Sequence, residues 1–154
     1  MRAGYTLIEL LVVIVVMTIL FTVGFTTFQD YSKQQALLQT ITFIQTDLRS
    51  IQEAAIAGNK PTTCTGTLNG YQFNFISATE YETDAVCSGG IIQIKDVNMP
   101  SDISLNTPIP NPLIFKTLAQ GTNIPDGNSA SIVITQASTG NAKTITIGSN
   151  GSIQ

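Results

Sequence analysis

Between Arg2 and Asp30 the chain carries one charged side chain, Glu9, in an otherwise apolar stretch. Every residue from Leu10 to Val16 is aliphatic, and Met17, Ile19, Leu20, Phe21, Val23, Phe25 and Phe28 continue the pattern. The stretch 5–28 is 24 residues, about 36 Å as a helix at ~1.5 Å per residue. That is enough to span a ~30 Å hydrocarbon core. Thr18, Thr22, Thr26 and Thr27 need not interrupt it, because a Thr hydroxyl can bond back to its own helix. A cleaved secretory signal is the competing reading. It fits poorly, since the run exceeds the usual apolar core of ~7–15 residues and a carboxylate sits at its start. The stretch is therefore read as a single membrane-inserted helix. Arg2 on the short side favours a cytoplasmic N-terminus by the positive-inside tendency, which puts everything after Phe28 outside the cytoplasm. Lys33 weakens that asymmetry, but Asp30 stands beside it.

Composition removes several functions. Charged residues make up 11% of 154, with seven Lys and Arg against ten Asp and Glu. The seven basic residues (Arg2, Lys33, Arg49, Lys60, Lys95, Lys116, Lys143) are scattered singly, whereas a phosphate backbone demands clustered cations. No nucleic-acid partner is expected. Histidine is absent, and with it the commonest general base and metal ligand. Trp is absent too, which disfavours a stacking platform for sugars.

Glu9 is the most informative position. A carboxylate two turns into an apolar helix costs roughly 2.5–3.5 kcal/mol on insertion scales, so it is expected to meet a partner, or else to snorkel to the nearby interface. No cation lies within the apolar run. Cutting the chain just before the run would create one, an α-amino group at Tyr5. The segment GYTLIELLVVIVVMTIL, preceded by Arg2, resembles the class III leader of type IV prepilins and pseudopilins. The resemblance implies cleavage between Gly4 and Tyr5 by a prepilin peptidase, N-methylation of Tyr5, and a role for Glu9 in assembly. Tyr5 replaces the usual Phe. The Pro that many pilins carry along the membrane helix is missing, and Gly24 lies nearby.

Beyond Phe28 the pattern becomes amphipathic. Leu37, Ile41, Ile44, Leu48, Ile51 and Ala55 recur at steps of three and four, the spacing of one helical face. Gly58, Asn59 and Pro61 are stop signals. The helix is expected over 5–57, about 80 Å long, with its outer half laid against residues 58–154. Those residues read as short strands with turn punctuation. Asn69-Gly70 is read as a hairpin turn ahead of Tyr71, Phe73 and Phe75, three aromatics alternating onto one face. Residues 91–97 and 113–118 are further strands, divided by Pro100, Pro108, Pro110 and Pro112. A turn is expected at Pro125-Asp126-Gly127, a hairpin over 131–136 and 143–148, and a closing Asn150-Gly151 turn before a last short strand. Five to seven strands facing one amphipathic helix make an α+β fold: a long N-terminal helix packed on a C-terminal antiparallel β-sheet domain, pilin-like. The expected division is 1–4 leader, 5–28 membrane half, 29–57 amphipathic half and 58–154 extracytoplasmic β domain.

The outer half is similar to H-type minor pseudopilins and fimbrial T-type minor pilins. The likeness lies in the segment Leu48-Arg49 to Ala54-Ala55-Ile56-Ala57, the paired Ile-rich strands and the closing Asn-Gly turn. Such proteins are low-copy subunits that prime or cap a filament.

Cys64 and Cys87, the only cysteines, fall in the exported half, where an oxidising compartment favours a disulfide. Two buried thiols are the alternative. No metal site is expected, with no His and no third Cys, and the wide spacing excludes a redox pair. Asp126-Gly127-Asn128 lacks the alternating ligands of a calcium loop and is read as a turn. Glu80, Glu82 and Asp84 are read as a solvated acidic loop, with calcium or a basic partner as the sharper alternative. Ser88-Gly89-Gly90 lacks the Lys of a phosphate loop. No catalytic constellation, cofactor or enzyme activity is expected.

The resemblance implies a minor structural subunit of a type II secretion pseudopilus or type IV pilus. Its expected partners are a prepilin peptidase, other pilin or pseudopilin subunits, an inner-membrane assembly platform and, before assembly, the lipid bilayer. A pilus-tip binding module, a major pilin and an anchored enzyme are the alternatives.

Overall fold

The computed structural model describes residues 6–154; the side chains at positions 23, 24, 26, 27 and 30 are not described. One helix, α1 (Leu7–Ala57), is followed by seven strands: β1 (Leu68–Ser77), β2 (Glu80–Cys87), β3 (Gly90–Asn98), β4 (Ile103–Leu105), β5 (Leu113–Lys116), β6 (Ser129–Gln136) and β7 (Ala142–Gly148). The architecture is α+β, as expected. The chain forms two compact units, Met1–Ala36 and Leu37–Gln154.

In the first unit the described apolar side chains all face outward. Leu7 is 82% exposed and even Val16, the most covered of the large ones, is 48% exposed. Thr18 and Thr22 donate to Ile14 O and Thr18 O at 2.8 Å, so their hydroxyls are satisfied inside the helix. Among the described residues no helix is long and apolar enough to cross a membrane. The run described side chain by side chain covers 7–22, about 24 Å; the expected span 5–28 also takes in position 5, outside the described residues, and positions 23, 24, 26 and 27, whose side chains are not described.

In the second unit the predicted stripe of α1 is the buried one. Leu37, Ile44, Leu48, Ile51 and Ala55 are all covered, with Ile41 packed against them. The helix ends on Gly58 at φ 63°. Gly58 N donates to Ala55 O and Asn59 N to Ala54 O, each at 3.1 Å; this paired closure satisfies orphan carbonyls and needs a left-handed residue.

The strands form two antiparallel sheets, ordered β3-β2-β1-β5 and β4-β6-β7. Tyr71, Phe73, Tyr81, Ala85, Leu113 and Phe115 turn one face of the first sheet into the core. Phe73 and Tyr81 stack with ring centroids 4.7 Å apart. From the second sheet Ala130, Ile132, Ile134, Ile145 and Ile147 are buried.

Two expectations are overturned here. Asn69-Gly70 is not a turn; both residues lie inside β1. Gly70 is required because a Cβ there would sit 2.3 Å from the Phe115 carbonyl oxygen of the neighbouring strand, a close backbone approach that only glycine allows. Glu80, Glu82 and Asp84 are not in a loop; they belong to β2, which pairs on both sides. The alternate residues Tyr81, Thr83 and Ala85 are buried, so the strand is anchored from its other face.

The remaining strand readings correspond to β3, β5, β6 and β7, while β4 had no sequence signal. The final stretch contributes a bridge between Ile153 and Ile147. Side-chain amides close backbone positions that no strand covers. Asn111 Oδ1 accepts from Phe75 N at 3.0 Å and its Nδ2 donates to Phe75 O at 3.1 Å. Asn123 Oδ1 accepts from Ile114 N, and its Nδ2 donates to Pro112 O, both at 2.9 Å. Asn106 Oδ1 accepts from Val133 N.

Candidate functional site

The start of α1 holds Glu9 in a defined geometry. Thr6 N and Thr6 Oγ1 donate to Glu9 Oε2 at 2.9 and 2.8 Å, and Glu9 N donates to Thr6 Oγ1 at 3.3 Å. Leu10 N closes the first turn on Thr6 O at 3.2 Å. This is a reciprocal capping box: the residue before the helix and the carboxylate three positions on satisfy amides that would otherwise lack acceptors. A negative charge here also opposes the positive end of the helix dipole. The Thr-x-x-Glu spacing that encodes the box is present in the sequence, where it was read as part of the leader motif with Glu9 as the assembly carboxylate and not as a helix cap. Gly4 and Tyr5, the expected cleavage pair, lie outside the described residues.

A second polar cluster joins α1 to the first sheet within the outer unit. Asp47 Oδ2 accepts from the Tyr81 hydroxyl at 2.7 Å. Both Asp47 oxygens accept from Lys95 Nζ at 2.8 Å. The same ammonium lies 4.1 Å from the Phe43 ring centroid, within cation–π range. Burial, then the bond to Asp47 and its charge, push the Tyr81 phenol far above its ordinary value, so the hydroxyl remains a donor at any working pH. Four residues from helix and sheet thus interlock, and none has the arrangement of a nucleophile beside a base. Asp47, Tyr81 and Lys95 were not singled out in the sequence, because their separation along the chain hides their proximity.

Cys64 and Cys87 form a disulfide with Cα atoms 5.8 Å apart, joining the segment after α1 to the end of β2. The expected staple is present. Asp126-Gly127-Asn128 is a turn: Asn128 N donates to Pro125 O at 3.0 Å, and Gly127 has φ 79°. Among the described residues no group of three or more Cys, Asp or Glu could hold a metal ion. Asp84, in the middle of β2, is buried and accepts from Gln72 Nε2 at 2.7 Å. Burial raises its pKa, and the Gln72 bond offsets this only in part.

A family model described as the prokaryotic N-terminal methylation motif matches residues 1–25. The chain therefore carries the class III leader of type IV pilins and pseudopilins. Neither a curated protein nor a solved structure gives a match. The motif indicates a type IV pilin-like protein of a structural rather than enzymatic family. It implies a membrane-anchored precursor, processed by prepilin peptidase and assembled with other pilins.

Proposed function

We propose that this pilin-like chain is a minor structural subunit of an envelope-spanning filament, a type II secretion pseudopilus or a type IV pilus. The observation that carries the reading is the juxtaposition at the start of α1. A carboxylate stands at the mouth of a helix whose described apolar side chains find no cover within the first unit. In the membrane those side chains contact lipid. In a filament they contact the helices of neighbouring subunits, which are equally apolar, so leaving the bilayer carries little hydrophobic penalty. Residues 5–28 form the membrane half, the N-terminus is cytoplasmic, and the part beyond 28 lies on the far side of the inner membrane.

Cleavage between Gly4 and Tyr5 releases the amine of Tyr5, which is then methylated. That cation, on the chain itself or on a neighbour, is the partner for Glu9. A charge pair of this kind contributes register more than stability: only a neighbour whose amine stands at the right height neutralises the acid. Residues 29–57 carry the amphipathic half, and 58–154 form the domain displayed outside. The other participants are further pilin or pseudopilin subunits and an inner-membrane assembly platform.

Two measurements test this. Intact mass after co-expression with a prepilin peptidase should show loss of residues 1–4 and gain of one methyl group; a mature chain still beginning at Met1 defeats the proposal. Glu9→Leu should leave the protein folded and membrane-bound but reduce its recovery in sheared filaments by an order of magnitude or more. Normal recovery would remove the registry role.

A further inference from the structure

The turn that closes β7 is pinned from several sides. Gly151 N donates to Gly148 O at 2.9 Å, and Gly151 takes φ 87°, a left-handed conformation that suits glycine. Gln52 Nε2 of α1 donates to Gly151 O at 2.7 Å, and a Cβ at Gly151 would lie 3.1 Å from that nitrogen. Gly148 N donates to Ser152 O, and Thr146 and Gln154 exchange both backbone bonds, each at 2.9 Å. Gly151 is buried in consequence, while Asn150 and Ser152 on either side of it are exposed.

The two exposed residues are joined to each other. Asn150 Oδ1 accepts from Ser152 N at 3.0 Å. Among the described residues Asn150 Nδ2 and Ser152 Oγ make no hydrogen bond. Elsewhere the same amide nitrogen is spent on the main chain, by Asn111 on Phe75 O and by Asn123 on Pro112 O. Asn150-Gly151-Ser152 is also the one place in the sequence where Asn is followed two positions on by Ser or Thr, with a residue other than Pro between. That is the acceptor sequence for an N-linked sugar. Asn128 is exposed in a turn as well, but Ala130 stands where the hydroxyl would be.

We propose that Asn150 is a glycosylation site. With Oδ1 tied to Ser152 N, the carboxamide is held beside residue 152, the pairing this acceptor sequence requires, and Nδ2 is its unspent group. The co-reactant is a sugar joined through its anomeric carbon to a diphosphate. Nδ2 forms a bond to that carbon as the bond to the diphosphate oxygen breaks. The diphosphate leaves with the electron pair, and one Nδ2 proton passes to a base of the transferase. Gly151 and Gln52 hold the turn against α1, so the sugar extends from the surface without disturbing the strands beneath. The proposal rests on the filament-subunit reading for placing the outer domain beyond the cytoplasm, the setting in which this acceptor sequence is used.

The test uses full-length protein purified from its native host, with mass spectrometry of the intact chain and of the tryptic peptide 144–154. The expected peptide carries the added mass of one or more sugar residues, localised to Asn150 by fragmentation that keeps glycosidic bonds. Asn150→Gln and Ser152→Ala should each abolish that mass; Ser152→Thr, which keeps a hydroxyl, should retain it. Ser152→Ala removes an oxygen that bonds to nothing in the turn, so its fold survives and loss of the sugar reads recognition. A bare peptide, a sugar on Thr144, Thr146, Ser149 or Ser152, or a sugar that survives Ser152→Ala overturns the proposal. The intact mass reports the leader at the same time. Loss of residues 1–4 with a bare Asn150 defeats the site alone. A sugar on a chain that still begins at Met1 defeats the filament reading and leaves the site standing, and a bare chain beginning at Met1 defeats both.

Discussion

The two stretches of α1, 7–36 and 37–57, share a backbone geometry and differ in where their apolar atoms go. In the first, Val13 and Ile14 are about half exposed despite lying in an unbroken aliphatic run; in the second, Ile44 and Leu48 are completely buried. A stripe at 3.6-residue spacing is specified for one partner on one side. An apolar surface all round is specified for surroundings on every side, and residues 37–154 fill their core from the stripe, the sheets and connecting residues such as Met99 and Ile124, with nothing from 7–36. Hydrophobicity alone does not say whether a helix belongs to its own domain; the periodicity does.

That contrast can be broken by experiment. Ile44→Ala should cost the outer domain about 2–4 kcal/mol, a transfer loss plus a cavity, whereas Val13→Ala should leave its unfolding midpoint unchanged; denaturant melts in detergent compare them directly. Equal effects would end the distinction. Removing the disulfide as Cys64→Ala with Cys87→Ala opens a loop that contributes roughly 3 kcal/mol on a chain-entropy account, and this loss too should appear only in the outer domain. Asp47→Ala strands the Tyr81 hydroxyl and should cost about 1–3 kcal/mol. Lys95→Ala, which removes a partly exposed partner, should cost less than about 1 kcal/mol; the reverse order would mean that the ion pair, not the buried phenol, holds helix to sheet.

The smallest effect concerns pH. The native Asp84 carboxyl binds its proton more tightly than the unfolded chain does. As pH rises above the ordinary carboxylate value, the unfolded state releases that proton first, so stability declines through the raised native value. Urea midpoints from pH 4 upward should carry this falling contribution, and Asp84→Asn should remove it. An unchanged pH profile in that variant would place the proton elsewhere.

Legibility in the sequence followed the same division. The stripe and its Gly58-Asn59 terminus were readable because helical periodicity and a left-handed closure are local. The disulfide was readable from the presence of two cysteines in the half expected to be exported. β2 was missed because its acidic outer residues drew attention from the alternation of Tyr81, Thr83 and Ala85, which a period-two count would have found. Gly70 was misjudged because the sequence alone cannot tell a glycine that turns the chain from one that lets Phe115 come close. The interlock of Asp47, Tyr81 and Lys95 left no local trace, since α1, β2 and β3 each contribute one member.

The amides of Asn106, Asn111 and Asn123 bear on how such a subunit polymerises. Each occupies main-chain groups that could otherwise recruit a foreign strand. With those sites sealed, the outer domain leaves fewer unpaired main-chain groups on which a strand of another molecule could template amyloid-like pairing.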